Sequence, residues 1–345
     1  MDEAALLAFI KRALDDGRQK FAYSSDANRV SVNLGDANFD FTESEYSLTP
    51  YVHHCLVSGT VQQQLESDIK IFADYSGWYL HDAFMLQHRD LSDLEHQINV
   101  RLEKIGIRAN YKPRLQAWDI FDTNTRFGLR LLRQKDAIEP WEPTSPLAFF
   151  CKWIADLDQK TIIHAGSLSK HGKGALMVGN GGAGKSGTVI GAMKYGFQSS
   201  GDDYTLLSKT SNEYRAHAVF RTVKQDLAGL KRLGLPIPQK LNWQNKAVFR
   251  PDHVFQQGIV DAVAVHVLLS PSLGADETSF QPIDPVVVFK TLTISTLKQL
   301  SGSYAPMFVS CARLIHDLPC FGVHLSSNPE EVAQKLSQFL ENLKC

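Results

Sequence analysis

The run Gly179-Asn180-Gly181-Gly182-Ala183-Gly184-Lys185-Ser186 constrains this chain more than any other stretch. It fits the phosphate-binding loop pattern G-x-x-x-x-G-K-[ST] at every position. The apolar run Ala175-Leu176-Met177-Val178 precedes it and reads as a short buried strand. Gly187 to Tyr195 follows, long enough for a short helix. Such a loop needs that setting. Its backbone N–H groups wrap the phosphates while the helix N-terminus adds partial positive charge. The pattern predicts an α/β fold with residues Gly179 to Gly187 against the phosphates of a nucleoside triphosphate. Lys185 reaches the outer phosphates and Ser186 holds Mg²⁺.

The pair Asp202-Asp203, in Gly201-Asp202-Asp203-Tyr204, narrows the chemistry. A helix from Ser186 to Tyr195 carries the chain about 15 Å away from the loop. Gly196 is a natural stop. Phe197 to Ser200, read as a return strand at about 3.3 Å per residue, covers a similar distance back. Both carboxylates then arrive beside the loop. There they can divide the labour, one taking a proton from an attacking hydroxyl and one facing the metal. We assign Asp202 as the base and Asp203 to the metal, although adjacency alone does not order them. The competing reading is a turn, since Gly and Asp favour turns.

These residues resemble the core pattern of the HPr kinase/phosphorylase superfamily. The resemblance rests on Ile162-Ile163-His164-Ala165-Gly166, the loop, Gly196-Phe197 and Gly201-Asp202-Asp203. Trp141-Glu142, Pro146-Leu147, Trp153 and Phe220-Arg221-Thr222-Val223-Lys224 are similar to segments of the broader HPr-kinase-like group. The resemblance spans Glu139 to the C-terminus and is strongest from Ile162 to Leu207. It implies an α/β P-loop kinase core of the type shared with phosphoenolpyruvate carboxykinase, using ATP and Mg²⁺ to phosphorylate a serine of a protein or peptide. It also places His164 at the site and Arg221 and Lys224 near the nucleotide. Gly187 departs from the pattern, standing where HPr kinases carry an acidic residue. HPr itself is therefore not the expected acceptor.

Three functions fit the motif: a kinase acting on serine, a kinase for a small hydroxyl compound on the same core, and a non-catalytic ATP sensor. Keeping Lys185, Ser186 and both aspartates favours an enzyme, because a sensor needs no base. The family precedent of ring assemblies makes further copies of this chain a candidate partner.

Composition excludes other classes. A formal net charge of -1 over 345 residues offers no overall attraction to nucleic acid or to anionic membranes. Cys55, Cys151, Cys311, Cys320 and Cys345 are scattered without C-x-x-C spacing, which argues against a disulfide framework or a zinc site. The acidic start Met1-Asp2-Glu3 is unlike a signal peptide, and no apolar run approaches membrane-spanning length. A cytoplasmic location is expected.

Organisation changes near residue 135. Residues 1–135 read as an α+β domain serving as scaffold or in substrate or partner recognition, and residues 136–345 as the kinase domain. Leu6, Phe9, Ile10 and Leu14 mark one face of an amphipathic helix. Leu91 to Lys104 has helical spacing, and Trp118–Phe121 with Phe127–Leu132 reads as a hairpin. Leu147 to Leu157 resembles a helix. The proline-dense stretch Glu139 to Pro146 marks the boundary. Most of the basic residues between 209 and 250 read as a solvated face. Trp243 reads as packing, as does the stripe Val332, Leu336, Phe339 and Leu340.

Overall fold

The computed structural model describes residues 3–24, 29–45, 47–57, 67–85, 102–134, 138–211, 213–256, 258–299 and 305–343. The chain forms two compact units, Met1–Leu157 and Asp158–Cys345. Both are mixed α/β, with parallel and antiparallel strand pairs in their larger sheets.

The first unit is built on a six-stranded sheet of order β1-β2-β3-β6-β5-β4. Its strands are β1 (Val30–Leu34), β2 (Ala37–Glu43), β3 (Ile69–Asp74), β4 (Ile107–Lys112), β5 (Ala117–Asp122) and β6 (Phe127–Leu132). Its helices are α1 (Glu3–Tyr23), α2 (Thr49–Leu56), α3 (Tyr79–Met85) and α4 (Ala148–Leu157). Strand alternation divides the side chains between two faces. Phe127, Leu129 and Leu131 of β6 pack with Trp118 and Ile120 of β5 against Leu6, Phe9, Ile10 and Leu14 of α1. Between them, Arg130 of β6 and Asp119 of β5 point to the other face, where they pair at 2.6 Å. The expected hairpin is present, with Asp122 opposite Phe127. The helix expected over Leu91–Lys104 lies outside the described residues except for Leu102–Lys104, which are helical.

The division falls at Leu157/Asp158 rather than after residue 135. Ion pairs explain the difference. Glu142 meets Arg130 at 2.5 Å and Lys112 at 3.2 Å, and the Pro143 carbonyl accepts from Cys55 Sγ at 3.4 Å. α4 then seals the same face, with Phe150 against Gly128 and Trp153 stacked on Phe121. The proline-rich stretch is here a strap on the first unit.

The second unit holds two larger sheets and a two-stranded ribbon. Strands β7 (Thr161–His164), β10 (Tyr204–Lys209), β11 (Tyr214–Ala218) and β14 (Ala262–Val265) form an antiparallel sheet of order β14-β11-β10-β7. Strands β8 (Gly166–Lys170), β9 (Lys173–Met177), β15 (Val267–Leu273), β16 (Ser279–Pro282) and β17 (Cys320–Leu325) form a mixed sheet of order β16-β17-β15-β9-β8. The ribbon pairs β12 (Val223–Asp226) with β13 (Lys246–Phe249). The helices are α5 (Lys185–Lys194), α6 (Leu227–Leu233), α7 (Pro285–Gln299), α8 (Ala305–Asp317) and α9 (Pro329–Asn342).

Strand β9 is covered on both faces, which is why its sequence is continuously apolar. Ala175 and Met177 pack with Val189 and Ala192 of α5 and with Val332, Leu336 and Leu340 of α9. Leu176 and Val178 join the opposite core with Ile163, Ala216, Val263 and Leu292. The C-terminal stripe packs as its spacing predicts. Trp243 does not: it is 57% exposed, in a turn where the Asn242 side chain accepts the N–H groups of Gln244 and Lys246. Among the described residues no helix is long and apolar enough to cross a membrane.

Candidate active site

Strand β9 delivers the chain into the loop, and α5 begins at Lys185. Gly184, just before the helix, has φ 101°, and a Cβ there would lie 2.9 Å from Leu273 Cδ2. Glycine answers both the left-handed backbone and the close approach. Asn180, Gly181 and Gly182 are exposed, Ala183 and Gly187 are half-buried, and Gly179 and Lys185 are buried. The Lys185 ammonium donates to the carbonyls of Gly179 at 2.5 Å and Asn180 at 3.3 Å. Burial moves its pKa below the usual lysine range, against the pull of Asp203 and Asp202.

The return from α5 takes a different form from the expected strand. Phe197 to Ser200 makes a single bridge to β8, in which Ser169 and Gln198 exchange both backbone hydrogen bonds at 2.8 Å, and the Ser167 N–H donates to the Gly201 carbonyl at 2.8 Å. Serine hydroxyls supplement these backbone bonds. Ser167 and Ser200 share a hydrogen bond at 2.7 Å, and the Ser167 hydroxyl also accepts the Ser200 N–H at 2.8 Å. The regular strand starts only at Tyr204, after both aspartates. A carboxylate pair at a strand start projects from the sheet instead of being committed to it.

The two carboxylates occupy different surroundings. Asp202 is 2% exposed, and the Lys224 N–H lies 3.4 Å from its Oδ2. Burial, followed by the charge of Asp203, pushes the Asp202 carboxyl up to about 6, while Lys224 and Ser186 oppose the rise. Asp203 lies between two cationic or potentially cationic groups. His164 Nε2 is 2.8 Å from Oδ1, and the Lys224 ammonium pairs with Oδ2. Burial acts to raise Asp203, but Lys224 and His164 outweigh it and hold this carboxyl well below the usual range. One aspartate thus retains affinity for a proton near neutrality, while the other stays ionised.

The structure joins Asp203 to His164 and Lys224, and Lys224 to Asp202, while Lys185 feels the charge of both carboxylates. Arg221 is engaged elsewhere, donating to the Ile259 carbonyl at 2.9 Å and pairing with Asp261. Contacts distant in sequence complete the setting. The His164 N–H donates to Thr296 Oγ1 at 3.0 Å, and the Tyr204 hydroxyl meets Gln299 at 3.2 Å, both partners lying on α7. Nothing local in the sequence marks Thr296 or Gln299, because their role depends on which helix packs beside β7.

The oxygen donors suit a hard divalent cation, which prefers carboxylate, hydroxyl and phosphate oxygens. Among the described residues no group of three or more His, Cys, Asp or Glu side chains forms a metal cage. The donor set of Ser186 and the aspartates therefore fits an ion shared with ligand phosphates, the usual arrangement for Mg²⁺.

No protein-family model matches the sequence, and no curated protein matches it. Among solved structures, the HPr(Ser) kinase/phosphatase from Coxiella burnetii is similar over 52% of this chain and 95% of its own, with 12% identity and a TM-score of 0.30. A likeness that slight carries no functional weight.

Proposed function

We propose that the second unit is an ATP-dependent phosphotransferase with an HPr-kinase-like P-loop core, moving the γ-phosphoryl group of ATP to a hydroxyl. The acceptor we favour is a serine of a protein or peptide. The observation that carries this reading is the buried Asp202 beside an Asp203 held by Lys224 and His164. A phosphate loop alone binds nucleotides; a loop with a buried carboxylate pair divided in this way has the parts for transfer.

In this reading Gly179, Asn180, Gly181, Gly182, Ala183, Gly184 and Gly187 shape the backbone around the phosphates. Lys185 leaves the Gly179 and Asn180 carbonyls to bridge the outer phosphates. Mg²⁺, held by Ser186 with Asp203 alongside, would neutralise charge on the phosphate oxygens. Asp202 accepts the proton of the incoming hydroxyl, a role suited to a carboxyl whose burial beside Asp203 raises its affinity for a proton. Asp203 keeps Lys224 and His164 oriented, and Lys224 can stabilise charge on the moving phosphoryl group. Arg221 joins only by giving up Asp261. The first unit serves as scaffold or in acceptor recognition.

The test follows label from γ-labelled ATP and Mg²⁺ into the protein, peptide and metabolite fractions of an extract of the source cells. Transfer by wild type, falling about 10²-fold or more in Asp202→Asn with MgATP affinity retained, is expected for loss of a general base. Full activity in Asp202→Asn would remove the assigned role. If the variant instead loses its affinity for Mg²⁺, Asp202 is the metal partner of Ser186. Tight ATP binding without transfer would favour a sensor, and label confined to metabolites a small-molecule kinase.

A further inference from the structure

Gln225 is buried at 7% exposure, and its Oε1 has no hydrogen-bond partner. A buried amide oxygen left unmatched costs stability, so its persistence needs a reason. The orientation of the amide is fixed by its neighbours. Nε2 donates at 3.2 Å to Asp226 Oδ1, which also accepts the Gly229 N–H at 2.6 Å as the cap of α6. A carboxylate of this kind accepts hydrogen bonds, so the amide nitrogen must face it and Oε1 must point away. Gly229 makes the seat possible: a Cβ there would lie 1.6 Å from Gln225 Nε2.

Oε1 points toward the first turn of α5. An ideal Cβ built on Gly187 would lie 3.9 Å from it, and no other described atom outside the chain neighbours and the helix's own backbone comes within 4 Å of that Cβ. The buried acceptor therefore faces the helix turn directly after Ser186. Phosphate oxygens cannot satisfy it, because they too are acceptors. Only a group carrying an O–H or N–H can.

Resting on the nucleotide reading of this loop, we propose that Gln225 is a specificity-determining acceptor. Its Oε1 takes a hydrogen bond from a hydroxyl of the bound Mg–nucleotide complex. Two sources supply that chemistry, a ribose hydroxyl and a water on the metal. Gly187 places no side chain against the acceptor, and the Asp226–Gly229 seat holds it oriented in advance.

Calorimetric titration of the full chain with MgATP tests this. Gln225→Leu, which keeps the bulk and removes the acceptor, should weaken binding about 3- to 10-fold, the effect of one neutral hydrogen bond. Gly229→Ala should do the same by displacing an intact Gln225, and the double variant should lose no more than Gln225→Leu alone. If a ribose hydroxyl is the donor, 2′- or 3′-deoxy-ATP reproduces the loss in wild type and erases the difference from Gln225→Leu. If the donor is metal-bound water, the difference vanishes for ATP in EDTA. Wild-type affinity for MgATP in both variants, each melting as a folded protein, would overturn the proposal. Failure of wild type to bind ATP would instead overturn the nucleotide reading beneath it.

Discussion

Asp119 and Arg130 are almost wholly removed from water, and each is matched by the other. Arg130 donates to Asp119 at 2.6 and 3.0 Å, and Lys112 reaches the same carboxylate at 3.0 Å. Burial acts to raise the Asp119 carboxyl, yet Arg130 and Lys112 bring it down to about 2. Removing one partner strands the others, so Asp119→Ala should cost about 3–5 kcal/mol in urea unfolding. A loss below about 1 kcal/mol would mean that water or a neighbour compensates. His81 is the opposite case, a buried imidazole among Trp78, Tyr111 and Phe9 whose ring nitrogens make no hydrogen bond, Nδ1 lying 3.8 Å from Asp82. Burial lowers it to about 4 against the pull of Asp82. The folded state thus disfavours the proton that an unfolded His81 binds near its ordinary value of 6.5. The neutral ring's contribution is complete above pH 6.5 and is lost as pH falls toward 4. Wild type should therefore lose stability relative to His81→Phe between pH 7 and 5, and parallel profiles would contradict this. At the site, Lys185, Ser186 and the aspartates are legible because pattern and spacing carry them. The division between Asp202 and Asp203 is not, since it depends on Lys224 and His164 arriving from other strands. Arg221 shows the same limit: its partner Asp261 is 40 positions away.

Among the elements, those with a strong period were legible. Leu6, Phe9, Ile10 and Leu14 lie on one buried face of α1, and Val332, Leu336 and Leu340 do so on α9. The doubly covered β9 showed itself by its unbroken apolar run. The stretch Phe197–Ser200 forms only an isolated bridge to β8, its backbone bonds there mixed with bonds to the Ser167 hydroxyl. Trp243 misled because aromatic character signals burial on average, whereas an Asn242 turn holds it outward. α9 supports the loop helix through Leu336, fully buried in the core that includes Val189 and Ala192. Leu336→Ala should therefore destabilise the protein by about 2–5 kcal/mol, with MgATP affinity unchanged in the folded population. A loss of less than about 1 kcal/mol in denaturant midpoint analysis would show that this core refills the space.

For the whole molecule, each compact unit encloses a core of its own, and all the site residues fall within Asp158–Cys345. The boundary was the least legible feature. The proline-dense stretch between 140 and 146 marks a boundary by composition, and Glu142 and Cys55 tie it to the first unit. Sheet order was equally hidden, because pairings such as β3 with β6 join segments far apart in the chain. Everything proposed for function depends on the second unit holding MgATP through its loop. The most direct measurement is a calorimetric titration of the full chain with MgATP, wild type beside Lys185→Ala. Saturable one-to-one binding is predicted, weakened about 10- to 100-fold by loss of a charged hydrogen-bond donor. No saturable binding in wild type, or equal affinity in the variant, would contradict the account.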